Sequence, residues 1–151
     1  MFHIIRIRNW KLTLISIAGF LLFLTVCLVM LRTAPRDSVT VGGEQIGLRI
    51  RNDGDIEAFV EKCGCEIEGC VSDEEITVPK TWNDTYEAYN KIQTEQGFDL
   101  RRYKGRTVRK LVFAVRDSDR YVTVLATDQY IIAADICGAQ QGSVPQPLVV
   151  G

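Results

Sequence analysis

The chain has 151 residues, 46% of them hydrophobic, with 18 Lys and Arg against 19 Asp and Glu, one His and a formal net charge of −1. That length holds one small domain beside a membrane segment and is too short for two. The balance lacks the basic footprint of a nucleic-acid binder, so nucleic acid is not an expected partner.

Residues 1–11 contain Arg6, Arg8 and Lys11 and no acidic residue. From Leu12 to Leu31, 20 residues run without a charge, a His or a Pro. A helix of that length spans roughly 30 Å, the hydrocarbon thickness of a bilayer. The lipid bilayer is therefore the first expected partner. Arg32 and Arg36 follow the run, then Asp37. Three positive charges and the amino terminus ahead of it, against two behind, orient the N-terminus toward the cytoplasm. The expected location is the cell membrane, single-pass, with the C-terminal part outside the cytoplasm. A cleaved signal peptide would have a shorter apolar core and a small-residue exit. Here Arg32 and Pro35 stand at the exit, which favours an uncleaved anchor. Leu24-Thr25-Val26-Cys27 has the outline of a lipobox, but Val26 is large and more apolar residues follow, so Cys27 is read as a thiol within the helix. All 19 acidic residues and 15 of the 18 basic ones lie beyond Leu31, leaving the exterior part at −4.

Residues 32–47, with Pro35 and the pair Gly42-Gly43, read as a linker. An exterior domain is expected over 48–138 and a tail over 139–151. Asn52-Asp53-Gly54-Asp55 is a helix start signal, and Ile56, Phe59, Val60 and Cys63 follow at i, i+3, i+4, i+7. Gly64 is placed to end that helix. Residues 65–71 and 75–78 read as two short strands, the second ended by Pro79. A longer helix is expected over 82–96, carrying Trp82, Tyr86, Tyr89 and Gln93 on one stripe, capped by Thr81 or Asn83 and stopped by Gly97. The aromatic stripe reads as core. After a loop over 98–105, strands are expected over 107–115, 121–127 and 130–136. The fold class is α+β: a two-layer domain of helix, two strands and helix, then a three-stranded antiparallel meander.

Several segments together resemble a bacterial family known only as domain of unknown function 4830. They are Phe59-Val60-Glu61-Lys62-Cys63-Gly64-Cys65-Glu66-Ile67, Ile76-Thr77-Val78-Pro79, the helix with Tyr86, Tyr89 and Asn90, Gln96-Gly97-Phe98-Asp99-Leu100 with Tyr103-Lys104-Gly105, and Ala134-Asp135-Ile136-Cys137. The likeness covers roughly residues 55–137. Cys65 stands where the family usually has an aromatic residue, and Cys63 and Cys70 are additions. The resemblance implies a membrane-anchored exterior bacterial domain and carries no activity.

Chemistry outside the membrane rests first on Cys63, Cys65, Cys70 and Cys137. In an oxidising compartment four cysteines allow up to two disulfides in three connectivities. A bridge from the first three to Cys137 would close a loop of about 70 residues and contribute on the order of 4 kcal/mol. The sharper alternative is a redox-active or metal-binding thiol site. Its spacing, C-x-C-x4-C, fits neither the usual zinc knuckle nor the C-x-x-C redox pair. His3 falls on the other side of the membrane, so no metal centre and no cofactor are expected.

Charge is divided unevenly. Residues 53–75 carry nine acidic residues and one basic one, Lys62. Arg101, Arg102, Lys104, Arg106, Arg109 and Lys110 form a basic segment without an acid. It could contact an anionic surface such as lipid headgroups or wall polymers. The plainer reading places the two segments side by side, each offsetting the other. No exterior His, no G-x-S-x-G and no Gly-rich phosphate loop supports a hydrolytic or phosphotransfer enzyme. Asn83-Asp84-Thr85 matches a glycosylation sequon but reads as a helix cap. The expectation is a non-catalytic binding or assembly domain with a membrane or envelope protein partner. Its alternative is an extracytoplasmic thiol protein.

Overall fold

A computed structural model describes residues 10–33, 36–140 and 142–149. The expected cytoplasmic segment lies almost wholly outside these residues. The chain divides into two compact units, Met1–Ala34 and Pro35–Gly151.

The described residues of the first unit form one helix, α1 (Trp10–Thr33). Its 24 residues extend about 36 Å at the rise of an α-helix. Within it, Leu14–Leu31 has a mean hydropathy of 2.8 and no buried residue. A soluble core helix of this composition would be buried by its own protein; this one presents Leu, Ile, Phe and Val on every side. The Thr25 hydroxyl donates to the Leu22 carbonyl at 2.7 Å, which satisfies the polar group within the helix.

The second unit is α+β, as its sequence pattern implies. It begins with an antiparallel hairpin, β1 (Ser38–Val41) and β2 (Glu44–Gly47), in the segment expected to be linker. Val41 pairs with Glu44, so Gly42 and Gly43 form a two-residue turn, with φ of 55° and 87°. Positive φ at both central positions matches strand twist and favours glycine. Val39 and Ile46 are buried in the core, which is why this segment does not behave as a tether.

Helix α2 (Gly54–Lys62) buries Ile56, Phe59 and Val60, the stripe predicted for it. The Asp55 carboxylate accepts from the Arg51 and Asn52 amides at 2.7 and 3.2 Å, organising the turn ahead of the helix. Strand β3 (Ile67–Thr77) then replaces the two expected short strands. It pairs along the whole of β4 (Thr107–Val115), with register shifts at Ile67/Gly69 and Cys70/Ser72. The acidic run Asp73-Glu74-Glu75, which breaks the hydrophobic pattern, lies opposite Leu111, Lys110 and Arg109. Cross-strand charge pairing keeps it in the sheet.

Helix α3 (Asp84–Glu95) starts two residues later than expected. Asn83 is its cap, its side chain accepting from the Tyr86 amide at 3.0 Å. Trp82 therefore precedes the helix, its indole donating to the Pro79 carbonyl at 2.8 Å. Gly97, at φ 93°, turns the chain out of it. A four-residue 3-10 helix, Leu100–Tyr103, occupies the expected loop. Strands β5 (Arg120–Ala126) and β6 (Ile131–Gly138) complete the meander. The expected tail adds β7 (Gln146–Pro147) and buries Leu148 and Val149. The main sheet is thus five-stranded and antiparallel, in the order β3-β4-β5-β6-β7.

Apolar clusters cover both faces of this sheet, a correction to the two-layer expectation. Leu111, Phe113, Val122, Val124 and Ala134 pack with α2 and the first hairpin. Val108, Leu125 and Ala133, from positions of opposite parity, pack with Tyr89, Trp82 and Tyr103. Two-sided burial explains the apolar run Ile131–Ala134 of β6, and all six residues from Ile131 to Ile136, Asp135 included, are buried.

Candidate functional site

The thiols do not converge. Cys63 and Cys65 pack against the α2-side cluster, half-buried. Cys70 is exposed and pairs with Phe113, which places it on that same face. Cys137 pairs with Tyr121, itself opposite Ala114, on the other face. Residues directly opposite in a ladder share a face, and neighbours in sequence do not. The sheet therefore stands between Cys137 and the other three. Cys70 and Cys137 are also three strands apart, roughly 14 Å, against the 7 Å limit for a disulfide. No described cysteine is in a disulfide. Burial, and Cys65 next to it, push the Cys63 thiol up to about 12, and burial also raises Cys65 and Cys137. A raised thiol value lowers the thiolate fraction, the opposite direction from an activated cysteine. Among the described residues no group of His, Cys, Asp and Glu is arranged to hold a metal ion.

The basic segment is largely neutralised by its neighbours. Arg109 on β4 is bidentate to Asp73 of β3, at 3.3 and 2.7 Å, and reaches Asp53 at the start of α2 at 2.8 Å. The Arg109 hydrogen bond holds the Asp73 carboxyl below its ordinary value. Lys110 meets Glu74 at 2.8 Å and Arg101 meets Glu87 at 2.7 Å. Lys104 lies 4.2 Å over the Trp82 ring, and Arg106 is 5.9 Å from the Tyr103 ring centroid. Arg102 is 3.8 Å from Asp99. Of the basic segment, Arg109 and Lys110 on β4 lie beside the acidic residues of β3, while Arg101, Arg102, Lys104 and Arg106 precede β4 and meet groups outside residues 53–75.

A buried polar seam joins α3 to β6. The Tyr89 hydroxyl donates to Asp135 at 2.5 Å. Asp135 is only 3% exposed, and burial pushes its carboxyl up to about 6 against the opposing effects of Tyr89 and Lys110. Gln93 accepts from the Ala134 amide at 3.0 Å, while its own Nε2 is buried without a partner. Gln96 donates to the Ala134 carbonyl at 3.0 Å and accepts from the Leu148 and Val149 amides at 2.9 and 2.8 Å. Asn90 accepts from the Leu100 amide at 2.8 Å. The two-residue β7 pairs only with Asp135 and Ile136. The glutamines take over where that ladder stops.

The buried side of α3 thus carries amide side chains, and Tyr86, expected in the core, is 41% exposed. Sequence reasoning placed Gln93 on the core stripe but gave no hydrogen-bonding role to Asn90, Gln93, Gln96 or Asp135. The available signal was the spacing of the amides at i, i+3, i+6, one helix face facing an apolar strand.

Two concavities flank this seam. An open, almost wholly apolar groove of about 330 Å³ runs along α3 between Tyr86, Tyr89 and Ile92 and the segment Val144-Pro145. A smaller cavity of about 190 Å³ lies between the end of α3, the 3-10 helix and the start of β6. Arg36, Asp99, Arg102, Tyr103 and Tyr130 supply its polar wall.

No protein-family model, curated protein or solved structure matches the chain.

Proposed function

We propose that this is a single-pass membrane protein, N-terminus in the cytoplasm, whose exterior α+β domain binds or assembles with an envelope component without catalysis of its own. The observation that carries the reading is the window Leu14–Leu31, apolar on all sides and unburied. Orientation follows from Arg6, Arg8 and Lys11 ahead of the helix. In sequence only residues 34–37 separate α1 from β1. The resemblance to the bacterial family of unknown function agrees with an anchored exterior domain. The thiol alternative is opposed by the raised Cys63, Cys65 and Cys137 values and by their separation across the sheet.

Cys70 provides the test, because it is exposed on β3. Bacterial cells expressing the full chain, freed of outer barriers, are treated with a membrane-impermeant maleimide. Labelling of Cys70 in intact cells, absent in Cys70→Ser, is expected. Labelling only after the membrane is permeabilised would place the domain in the cytoplasm and overturn the reading.

A further inference from the structure

We propose that the 190 Å³ cavity beside the 3-10 helix binds a phosphate-bearing anion, held by Arg36 and Arg102. Its volume corresponds to roughly six waters, room for a phosphate group and a few attached carbons. Two guanidinium groups and one carboxylate, Asp99, border it. Asp99 is already engaged by the Arg101 amide at 3.1 Å and the Asn90 side chain at 3.5 Å, with Arg102 at 3.8 Å.

Three polar groups here have no hydrogen-bonding partner among the described residues. The Arg36 guanidinium makes no ion pair or hydrogen bond with a described residue, and neither do the Tyr103 and Tyr130 hydroxyls. Gly97 makes room for Arg36: a Cβ there would lie 2.6 Å from Arg36 Nη1. The left-handed glycine that ends α3 thus also seats the guanidinium against the cavity. A planar guanidinium fork matches phosphate oxygens, and the two phenols add neutral donors. Phe98 and Ile131 form apolar wall for the carbon portion of the ligand.

Phosphate of this kind comes from a lipid headgroup or from a soluble phosphate ester. Arg36 is three residues beyond Thr33, the last residue of α1. The headgroup source rests on the anchored reading proposed above; the phosphate site itself does not.

The full chain in neutral detergent is titrated with inorganic phosphate and with a short-chain phosphatidylglycerol, by calorimetry. Saturable binding of at least one probe, one per chain, is expected. Arg36→Gln and Arg102→Gln should each weaken it by roughly tenfold. Arg116→Gln, which alters an exposed pair with Glu66 elsewhere, should leave it unchanged. Arg36 is exposed and makes no ion pair or hydrogen bond with a described residue, so Arg36→Gln stays informative whether or not Arg102→Gln folds. Absence of saturable binding, or wild-type affinity in Arg36→Gln, overturns the proposal. Tighter binding of the phospholipid identifies the headgroup as source, and equal binding identifies soluble phosphate; both support the site. Detergent has no sidedness, so a wrong topology would leave this titration intact.

Discussion

Tyr89 and Asp135 meet at 2.5 Å across the interface between α3 and β6, a phenol donating to a carboxylate that has almost no contact with water. The pair makes stability depend on pH in a definite direction. The Asp135 value in the fold, about 6, lies above that of an unfolded aspartate, so the folded state holds the proton more tightly. Its stabilising contribution is complete below pH 4 and is lost as pH rises through 6. The loss is on the order of 2–3 kcal/mol. Thermal melts of the full chain in neutral detergent should show a lower Tm at pH 7.5 than at pH 5. Asp135→Asn should flatten that slope and raise the Tm at pH 7.5. An unchanged slope in Asp135→Asn would remove Asp135 as its source.

Tyr89→Phe isolates the hydrogen bond from the packing. The ring stays, and the buried carboxylate loses the hydrogen bond it receives from the phenol. A cost of about 1–3 kcal/mol is expected at neutral pH, smaller at pH 5, where the carboxyl is protonated. Urea titrations at the two pH values read the difference directly.

Much of this fold is legible in the sequence because most of its elements bury one face. The α2 stripe of Ile56, Phe59 and Val60, the β4 alternation around Leu111, Phe113 and Val115, and the Asn83 cap all follow from period and local chemistry. The misreadings have physical causes as well. Gly42-Gly43 suits a flexible linker and a two-residue hairpin equally, and only the burial of Val39 and Ile46 separates the two. Asp73-Glu74-Glu75 interrupts a strand pattern until Arg109 and Lys110 are placed beside it by a pairing 36 residues away. The role of the α3 amides is not legible because hydropathy does not register that Gln96 supplies hydrogen bonds to Ala134, Leu148 and Val149 beyond the short ladder. The cavity holding Arg36 combines segments far apart in sequence, and no local spacing announces it.

The glutamine seam should behave accordingly. Gln96→Ala removes the acceptor of two buried amides and the donor to Ala134 together. A loss of about 2–4 kcal/mol is expected, with hydrogen exchange quickening first at Leu148 and Val149. Gln93→Leu should cost less, because it also removes an amide nitrogen that is buried without a partner. Equal costs for the two would mean that the C-terminal segment is held by Leu148 and Val149 packing alone.

Arg109 ties α2 to the sheet through Asp53 and Asp73, and it does so near the surface. Replacement by Ala should destabilise the domain by about 1 kcal/mol at low ionic strength, and by less in 0.5 M salt, where the Debye length is roughly 4 Å. Arg109→Lys should recover only part of the loss, since an ammonium cannot be bidentate to Asp73 while also reaching Asp53. The Asp73 carboxyl is held below its ordinary value, so the arginine contribution is present above pH 4 and fades as pH falls below it. That places the Arg109 effect and the Asp135 effect on opposite sides of the stability profile. Salt should suppress the first and leave the second, which is buried, nearly unchanged. Melts of Arg109→Ala and Asp135→Asn across pH 3–8 at two salt concentrations separate them. A salt-insensitive Arg109 effect would show that lost packing of its aliphatic stem outweighs the ion pairs.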